Sequence, residues 1–520
     1  MTTPVYAVTG ASGRLGRLAV EQLTARGVPP SDIVALVRTP AKAVSLAASG
    51  VQVRQADYSR PATLPAALSG VNRLLLVSGS EVGHLVPQHT NVIEAAKTAG
   101  ISRIVYTSML KADHSTSPLA GEHHETERVL REAAVPHTVL RNGYYTEGYT
   151  DHLGEYLAAG EIIGAAGHGR MSTATRQDYA TAAAAALLSD EARNPTYELG
   201  GPAYDVTGLA QLITDVTGTK VTYRDLSADG YAAELQRSGI DETTARFVAA
   251  LDVAVARGDL QTSSTDLADL LGRPATGPAD VVHAAYDLVK VTSRTAIIGL
   301  IGAGRIGGTL AGLAVDAGYH VVLSNDRGPA TLSDLAARLG PSARAATPTE
   351  AAGAADLVVV AVPLSAYREI PAEQLVGKVV LDATNYMPDR DGHIAALDDE
   401  SATSSQLLQA RMAGSHLVKA FNTVFFGHLP TLARPRGAAD RSSLAIAGDD
   451  QLAKNTAGAF IDAIGYDPHD VGLLSEGWRF QQPGATPYAY GAGGSFDHPQ
   501  PAPAQHIADL LARARHHRDN

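Results

Sequence analysis

Apolar residues near the start of the chain alternate between short continuous runs and stretches with helical spacing. Val5–Val8 predicts a buried strand, and Leu15–Leu23 follows with the period of an amphipathic helix. Strands predicted at 51–58, 72–80, 103–108 and 137–145 alternate with helices at 91–100 and 123–133. This alternation predicts a doubly wound parallel sheet, in which ligands bind beyond the carboxyl ends of the strands.

The same pattern begins again in mid-chain. Ile297–Ile301 predicts a strand and 308–318 a helix, and further strands are predicted at 356–367, 376–388 and 415–429. We therefore predict an α/β protein with two Rossmann-type doubly wound parallel-sheet domains in tandem, each with a smaller C-terminal substrate lobe or extension. The predicted limits are 1–292, 293–494, and 495–520 for a proline-rich hinge and C-terminal helix.

Composition narrows the classes of function. The 520 residues are 45% hydrophobic and carry a formal net charge of −12, which predicts a globular protein that does not bind nucleic acid. There is no cysteine, so disulfides and thiolate metal sites are excluded, and we predict no metal site. The N-terminus has no signal segment and no apolar stretch approaches 18 residues, so we expect a cytoplasmic protein without a membrane partner.

The first strand leads into a glycine-rich turn. Gly10, Gly13 and Gly16 form GxxGxxG between the strand and the helix. Glycines let the backbone approach a pyrophosphate, and the helix N-terminus offers free N–H groups to it. The residues that we assign to nucleotide binding in this turn are Gly10, Ser12, Gly13, Arg14, Leu15 and Gly16.

The second strand ends in a base. Domains that prefer NAD usually carry an acid here for the ribose hydroxyls, whereas this chain has Arg38, with Lys42 one helical turn later. A guanidinium suits the 2′-phosphate of NADP through charge-assisted hydrogen bonds. The alternative is a solvated basic pair.

The strand ends also predict a nicotinamide site. Ser78–Ser80, Thr107, Ser108 and Asn142–Tyr145 follow neighbouring strands. Short-chain dehydrogenases use a Tyr-x-x-x-Lys helix, whereas here His123 and Glu127 occupy the two positions. Either hydride delivery to a very electrophilic acceptor is sufficient, or the domain senses nucleotide without turnover.

The first half resembles the type-2 NADPH:quinone oxidoreductases, atypical short-chain dehydrogenases similar to the NmrA-like redox sensors. The segments TGASGRLG, VRTPAKA, PQHTNVIEAAKTAG, EHHETE and LRNGYYTE carry the resemblance, which extends to about Lys290. It implies two-electron reduction of a quinone without flavin, and His-x-x-x-Glu is the family's own pattern. The further nucleotide contacts expected are Asp57, Tyr58, Ser78, Gly79 and Ser80, and the candidate catalytic residues are Thr107, His123, Asn142 and Tyr144.

The second half has its own nucleotide signals. Gly302, Gly304 and Gly307 form GxGxxG, with Arg305 and Ile306 in the same turn. After the next strand, a 2′-phosphate could be held by Ser324, Asn325 and Arg327. Asp326 could instead face a ribose hydroxyl and favour NAD. We favour NADP, and so expect NADP(H) in both domains.

Later strand ends supply the remaining candidates. Val362 and Pro363 follow the fourth strand on the nucleotide side. Asn385, Lys419 and Asn422 are candidate catalytic residues, and the alternative is that such buried groups are structural.

The second half resembles the bacterial NADPH-dependent reductases of the deazaflavin coenzyme F420. The matching segments include IGAGRIGGTLA, LSNDRGP, VVAVPL, DATNYMPDRDGHIAALDD and VKAFNT, between Ala296 and about Tyr490. The resemblance implies hydride exchange between NADP(H) and a deazaflavin held face to face, which needs no proton-transfer triad. Relatives with this fold reduce imines, other flavins or ferric centres.

Together these signals predict a bifunctional NADP(H)-dependent oxidoreductase whose partners are small acceptors, a quinone and a deazaflavin. One alternative is an NADP(H) redox sensor that regulates a fused reductase. Another is a biosynthetic imine or enone reductase. Homo-oligomerisation is plausible for both families, and the oligomeric state stays open.

Overall fold

The computed structural model describes residues 3–43, 46–47, 49–481 and 497–515. The chain divides into two compact units between Ala285 and Tyr286. Our domain limit at 292/293 stays a prediction, and the limit at 494/495 falls outside the described residues.

The first unit is built of strands that alternate with helices. Its strands are β1 (Tyr6–Thr9), β2 (Ile33–Val37), β3 (Gln52–Gln55), β4 (Arg73–Leu76), β5 (Arg103–Met109), β6 (His137–Asn142), β7 (Glu161–Gly164), β8 (Arg170–Ser172), β9 (Thr196–Leu199), β10 (Ala203–Asp205) and β11 (Thr222–Asp225). Its helices are Arg14–Ala25, Leu64–Ala67, Leu85–Thr98, Ala120–Ala133, Glu147–Thr150, Leu153–Ala159, Arg176–Leu188, Val206–Thr217, Ala228–Arg237, Glu242–Ala256 and Asp266–Leu271, and Pro278–Thr292 follows. Short 3-10 turns lie at Pro30–Asp32, Pro40–Ala43 and Pro61–Thr63.

The main sheet of this unit is parallel, with strand order β3-β2-β1-β4-β5-β6-β9. Apolar side chains cover both of its faces. One face packs against the helices Arg14–Ala25 and Arg176–Leu188, and the other against Leu85–Thr98 and Ala120–Ala133. Strands buried on both faces explain the continuous apolar runs of the sequence.

A smaller lobe follows the sheet. In it β7 pairs with β11 in parallel and β8 pairs with β10 in antiparallel fashion. The helices Ala228–Arg237 and Glu242–Ala256 pack together there through Ala232, Ala245 and Ala249.

The second unit repeats the architecture with different detail. Its strands are β12 (Ile297–Ile301), β13 (His320–Ser324), β14 (Ala343–Ala345), β15 (Leu357–Val360), β16 (Val379–Asp382), β17 (His416–Ala420), β18 (Ser443–Gly448) and β19 (Asp467–Gly472). Its helices are Arg305–Asp316, Ser333–Leu339, Pro348–Ala354, Pro388–Asp391, Ala395–Asp398, Ser404–Arg411, Leu429–Leu432, Gln451–Ala463 and Ala504–Ala512. Short 3-10 helices lie at Pro329–Leu332, Leu364–Glu369, Ala372–Leu375 and Leu474–Phe480.

The order of this second sheet is β14-β13-β12-β15-β16-β17-β18-β19. The prediction of two Rossmann-type units in tandem is confirmed, with one difference. β18 runs antiparallel to β17, although all the other pairs are parallel. The strand pattern alone carries no information about direction, so the reversal could not be predicted. Across the described ranges, no helix is both long and apolar enough to cross a membrane.

Candidate functional site

The first glycine turn is held by close backbone contacts. Gly10 has φ +59°, a left-handed conformation that glycine adopts without strain, and its carbonyl accepts a hydrogen bond from Gly13 N–H at 2.8 Å. A Cβ at Gly16 would lie 2.4 Å from the oxygen of Gly10, so a side chain there would displace the helix Arg14–Ala25. Gly13 caps that helix without a side chain, which leaves the first N–H groups open to an anion.

The turn opens onto a cavity of about 620 Å³ at the carboxyl ends of the strands. Predicted residues form much of its wall: Gly10, Ser12, Gly13, Arg14, Leu15, Gly16, Arg38, Asp57, Tyr58, Ser78, Gly79, Ser80, Thr107, His123, Asn142 and Tyr144. Lys42 is exposed and lies outside this lining, so the second half of the predicted basic pair is not brought to the cavity.

Two of the three arginines of the wall, Arg14 and Arg38, each form a close ion pair with a carboxylate. Arg38 Nη1 lies 2.9 Å from Glu81 Oε1, and Arg14 Nη1 lies 2.7 Å from Asp151 Oδ2. The basic members of both pairs are largely exposed, so both can rearrange when a ligand binds. The sequence predicted Arg14 and Arg38 as nucleotide contacts but gave no sign of their carboxylate partners.

A buried histidine that the sequence analysis missed ties down the loop after β4. His89 Nε2 accepts a hydrogen bond from Gly79 N–H at 3.0 Å, and its Nδ1 lies 3.0 Å from Thr126 Oγ1. Burial, with a smaller contribution from the nearby His123, lowers the pKa of His89 to about 3, so the ring is neutral at neutral pH. An accepting Nε2 places the proton of the neutral ring on Nδ1, which therefore donates to Thr126.

His123 lies in the cavity wall, where a short-chain dehydrogenase would have its tyrosine. Its Nδ1 is 2.8 Å from the hydroxyl of the buried Tyr106. Burial lowers the pKa of His123 to about 4, against an opposing effect of Glu127 and Glu122. At neutral pH the ring is thus an uncharged hydrogen-bonding group.

Glu127 stands where that family would have its lysine, and it belongs to a buried ionic cluster. Its carboxylate accepts two hydrogen bonds from Arg141, at 2.9 and 2.7 Å, and one from Ser108 Oγ at 2.7 Å. Arg141 also contacts Asp113 and Glu198. Because Ser108 lines the cavity, the cluster orients its hydroxyl, which then presents lone pairs to a ligand.

The cavity wall at the ends of β5 and β6 carries polar side chains that can hydrogen-bond to a ligand. Asn142 is buried, and among the described residues neither its side-chain nitrogen nor its oxygen has a hydrogen-bond partner within 3.5 Å. Burial raises the pKa of the neighbouring Tyr144 hydroxyl. Thr107 Oγ1 accepts from Ser78 N–H at 2.9 Å and keeps its own hydrogen as a donor. The Tyr145 hydroxyl interacts with this amide, but no group satisfies it within 3.5 Å, so Asn142 fits a site that a polar ligand completes.

The second glycine turn has the same construction. Gly302 has φ +97°, and a Cβ at Gly307 would lie 1.9 Å from the oxygen of Gly302. A Cβ at Gly304, by contrast, would meet nothing within 4 Å, so this position faces open space. The guanidinium of the exposed Arg305 lies over the ring of Phe426 at 5.4 Å, and Ile306 packs against the core.

The end of β13 corrects one prediction. Ser324 is fully buried and its hydroxyl donates to the carbonyl of Leu300 at 2.7 Å, so it faces the sheet and not a phosphate. Alternation along the strand turns this side chain inward. The side-chain amide of Asn325 donates a hydrogen bond to Thr331 Oγ1. Arg327 is exposed, so its guanidinium is accessible to a ligand.

The ends of β16 and β17 are tied together. Asn422 Nδ2 donates to the carbonyl of Thr384, and Asn385 Nδ2 donates to the carbonyl of Asn422 at 3.1 Å. Thr384 Oγ1 and Asn422 Oδ1 are buried and lack a partner among the described residues. Phe421, just before Asn422, has φ +67°, a strained conformation of the kind that clusters at functional sites. Val362 and Pro363 follow β15, and Val362 Cγ1 approaches Gly302 closely.

Lys419 lies beneath these strand ends rather than in an open cleft. Its ammonium is fully buried, 3.8 Å from the equally buried Asp382, and it donates to Ser404 and Ser405 at 3.1 and 3.0 Å. Burial lowers its pKa, and Asp382 opposes that effect. Such an enclosed group cannot touch a substrate. Lys419 is therefore a structural residue and not a catalytic one, which was the alternative left open by the sequence.

The comparisons with known proteins agree with this architecture. The model of a family described as NAD(P)H-binding matches residues 10–190, and that of the NADP oxidoreductases, coenzyme F420-dependent, matches residues 297–386. Quinone oxidoreductase 2 of Escherichia coli is 46% identical over 285 residues, which cover 55% of this chain and 99% of the relative.

Two groups of solved structures are similar to the first unit. The crystal structure of NADPH-dependent quinone oxidoreductase from Escherichia coli complexed with NADPH is 46% identical, with a TM-score of 0.53, over 54% of this chain and 100% of that one. Triphenylmethane reductase of Citrobacter sp., complexed with NADP(H), is 37% identical, with a TM-score of 0.52, over 54% of this chain and 99% of that one.

Both resemblances predicted from the sequence are thereby confirmed. The chain belongs to the NmrA-like, NAD(P)H-binding oxidoreductases that include quinone oxidoreductase 2, and it carries behind that unit a domain of the coenzyme F420-dependent NADP oxidoreductase type.

Proposed function

We propose that the first unit binds NADPH in its cavity and reduces a quinone or a similarly electrophilic acceptor. The observation that carries this proposal is the cavity itself. The N-terminus of the helix Arg14–Ala25, the side chain of Arg38 and the amide of Asn142, which has no hydrogen-bond partner within 3.5 Å, all line it. The helix would hold the pyrophosphate, Arg38 the 2′-phosphate, and Asn142 the polar edge of the nicotinamide or acceptor.

The nicotinamide supplies a hydride when bound, and a quinone needs one further proton to become a hydroquinone. The side chains of the wall suit this limited demand. His123 is neutral, so it can hydrogen-bond an acceptor oxygen but carries no extra proton at neutral pH. Glu127 is engaged by Arg141 and Ser108. The wall therefore positions the reactants, and the proton comes from solvent.

For the second unit we propose hydride exchange between NADP(H) and the deazaflavin coenzyme F420 or a related acceptor. Gly304 would face the pyrophosphate, and Arg327 the 2′-phosphate. The partnerless oxygens of Thr384 and Asn422 offer a donor and an acceptor to the reacting rings. Full-length protein with both sites would be a bifunctional oxidoreductase.

The test follows NADPH oxidation anaerobically with a simple quinone and with oxidised F420, each alone. Gly13→Asp and Gly304→Asp place a carboxylate at one helix N-terminus each, against the pyrophosphate. Gly13→Asn and Gly304→Asn are matched controls, because asparagine caps a helix as well as aspartate but carries no charge. We expect Gly13→Asp to abolish quinone turnover only, and Gly304→Asp to abolish F420 turnover only.

Other outcomes separate the alternatives. If NADPH binds but neither acceptor is reduced, the proposed substrates are wrong and a redox-sensing first unit replaces them. If the asparagine variants are as inactive as the aspartate variants, the effect is steric and the pyrophosphate positions are not supported.

A further inference from the structure

Glu81 occupies an unexpected place in the wall of the first cavity. It lies on the loop after β4, 43 residues from Arg38, yet its carboxylate is 2.9 Å from the Arg38 guanidinium. Its other oxygen accepts a hydrogen bond from Gln88 Nε2 at 2.7 Å. Arg38, Glu81 and Gln88 all line the cavity. The Glu81 carboxylate thus already forms an ion pair with Arg38, the residue that would bind a 2′-phosphate.

The charge of this group is secure at neutral pH. Hydrogen bonds from Gln88 and Arg38 lower the pKa of Glu81 below its usual value. A nucleotide with a 2′-phosphate must therefore take Arg38 away from an ionised carboxylate and remain beside that carboxylate. A nucleotide with a free 2′-hydroxyl leaves the pair intact.

We propose that Glu81 tunes the discrimination between NADPH and NADH by competing with the 2′-phosphate for Arg38. The inference rests on the proposed nucleotide site of the first unit and adds the residue that limits its selectivity. The Arg38 and Glu81 side chains are 70% and 46% exposed, so the pair is a surface ion pair of modest strength. Removing the competitor should therefore tighten NADPH binding by roughly two- to fivefold.

The experiment measures dissociation constants of NADPH and NADH by titration calorimetry on the full-length chain. Every protein carries Gly304→Asp, so that binding reports on the first unit. The variants are Glu81→Gln, Arg38→Ala and their combination. Glu125→Gln is the matched control, because Glu125 also pairs with an arginine on the surface of this unit but lies outside the cavity lining.

We expect Glu81→Gln to tighten NADPH binding and to leave NADH binding unchanged. The gain should be smaller once Arg38 is alanine, because only the repulsion between Glu81 and the 2′-phosphate then remains. The gain should shrink as salt is raised, because exposed charges are screened. Glu125→Gln should change neither constant.

Four results would overturn the inference. Weaker NADPH binding in Glu81→Gln would mean that Glu81 positions Arg38 for the phosphate. Weaker NADH binding would mean that the carboxylate accepts the ribose hydroxyls. An equally large increase in NADPH affinity in Glu125→Gln would show that the effect comes from the change in net charge and not from the Arg38–Glu81 pair. Absence of nucleotide binding before Glu81 is changed would refute the proposed site itself, and this inference with it.

Discussion

The two units share a strand–glycine turn–helix entrance but differ in the ion pairs that lie beneath their strand ends. In the first, Arg141 pairs with Glu127, Asp113 and Glu198, and the cluster reaches the cavity through Ser108. In the second, Lys419 and Asp382 are both fully buried, and their ammonium and carboxylate lie 3.8 Å apart.

The difference shows how little the glycine turn says about chemistry. We propose a pyrophosphate site at both turns, and each turn needs a glycine where the helix touches it. What the reacting groups meet is decided by side chains on other elements. The arginine cluster orients the hydroxyl of Ser108 in the cavity wall, whereas the buried Lys419 of the second unit donates its hydrogen bonds to Ser404 and Ser405.

The largest expected effect compares these two ion pairs. Arg141→Met leaves three carboxylates facing one another, one of them buried, and should destabilise the first unit by about 3–5 kcal/mol. Lys419→Met should destabilise the second unit less, by about 1–3 kcal/mol, because Asp382 keeps hydrogen bonds from Ser405 and Thr384. Native-state hydrogen exchange of amides in β6 and β17 measures each loss.

Glu127→Gln is the control for that comparison. It keeps the shape of the side chain and its bond to Ser108, and Arg141 retains Asp113 and Glu198. Its effect should be clearly smaller than that of Arg141→Met. Equal losses from Arg141→Met and Lys419→Met would show that the two clusters do not differ as described.

The next effect concerns the lobe of the first unit. Asp252 accepts a hydrogen bond from Ala165 N–H at 2.7 Å, and burial raises its pKa to about 6, with a smaller contribution from Asp225. A raised carboxyl pKa means that the folded state holds a proton which the unfolded state has released, so stability falls as pH rises from about 4 to about 6. Asp252→Asn should remove this fall and add up to about 3 kcal/mol at pH 7.

Urea unfolding of wild type and Asp252→Asn between pH 4 and 8 tests this expectation. The two proteins should have the same free energy of unfolding near pH 4 and should diverge above it. A difference that is constant with pH would show that ionisation of Asp252 is not the cause.

The glycine turn of the second unit separates packing from binding. Gly307→Ala places a methyl group against the backbone of Gly302 and should destabilise the unit by about 1–3 kcal/mol. Gly304→Ala should leave the fold intact, because that position faces open space, yet weaken NADPH binding if the pyrophosphate lies there. Thermal unfolding and calorimetric titration of both variants give the answer. Unchanged NADPH binding in Gly304→Ala would place the nucleotide elsewhere.

A further pH-dependent effect concerns His89. The pKa of His89 is about 3 in the folded protein and about 6.5 in the unfolded chain. Between these pH values the unfolded chain therefore binds a proton that the folded protein does not bind. Stability should fall with decreasing pH, by about 1.4 kcal/mol per pH unit from this residue. His89→Gln, whose amide can still accept from Gly79 and donate to Thr126, should make the fall shallower. The measurement is the pH dependence of urea unfolding between pH 4 and 7, and parallel curves would contradict the buried neutral assignment.

Several parts of the site could be predicted because their signals are local. The turn at Gly10–Gly16 lies within one strand–helix unit, and His123 and Glu127 are one helical turn apart. The residues that follow β4, β5 and β6 were predicted to converge because parallel strands end at one edge of the sheet. The structure brings most of them to one cavity.

Other parts could not be predicted because partners are chosen across the fold. His89 lies in the segment PQHTNVIEAAKTAG, but the segment does not show what its side chain contacts. Glu81 and His89 each acquire their roles from a group on another element. Ser324 sits at a strand end that suggested a phosphate contact, yet the pleat turns its hydroxyl into the sheet.

The sequence by itself determined the two α/β units, their glycine turns, the family of each and the strand ends where chemistry belongs. The units and their turns follow from apolar periodicity and from the stereochemistry of glycine, whereas the families follow from the resemblance of longer segments. All of these signals lie in continuous stretches of chain. Only the tertiary structure decided which polar groups are buried, which pairs neutralise one another and which side chains face the cavity. Those outcomes depend on packing between residues far apart in sequence, where a polar group that loses water must find whatever partner the fold brings near.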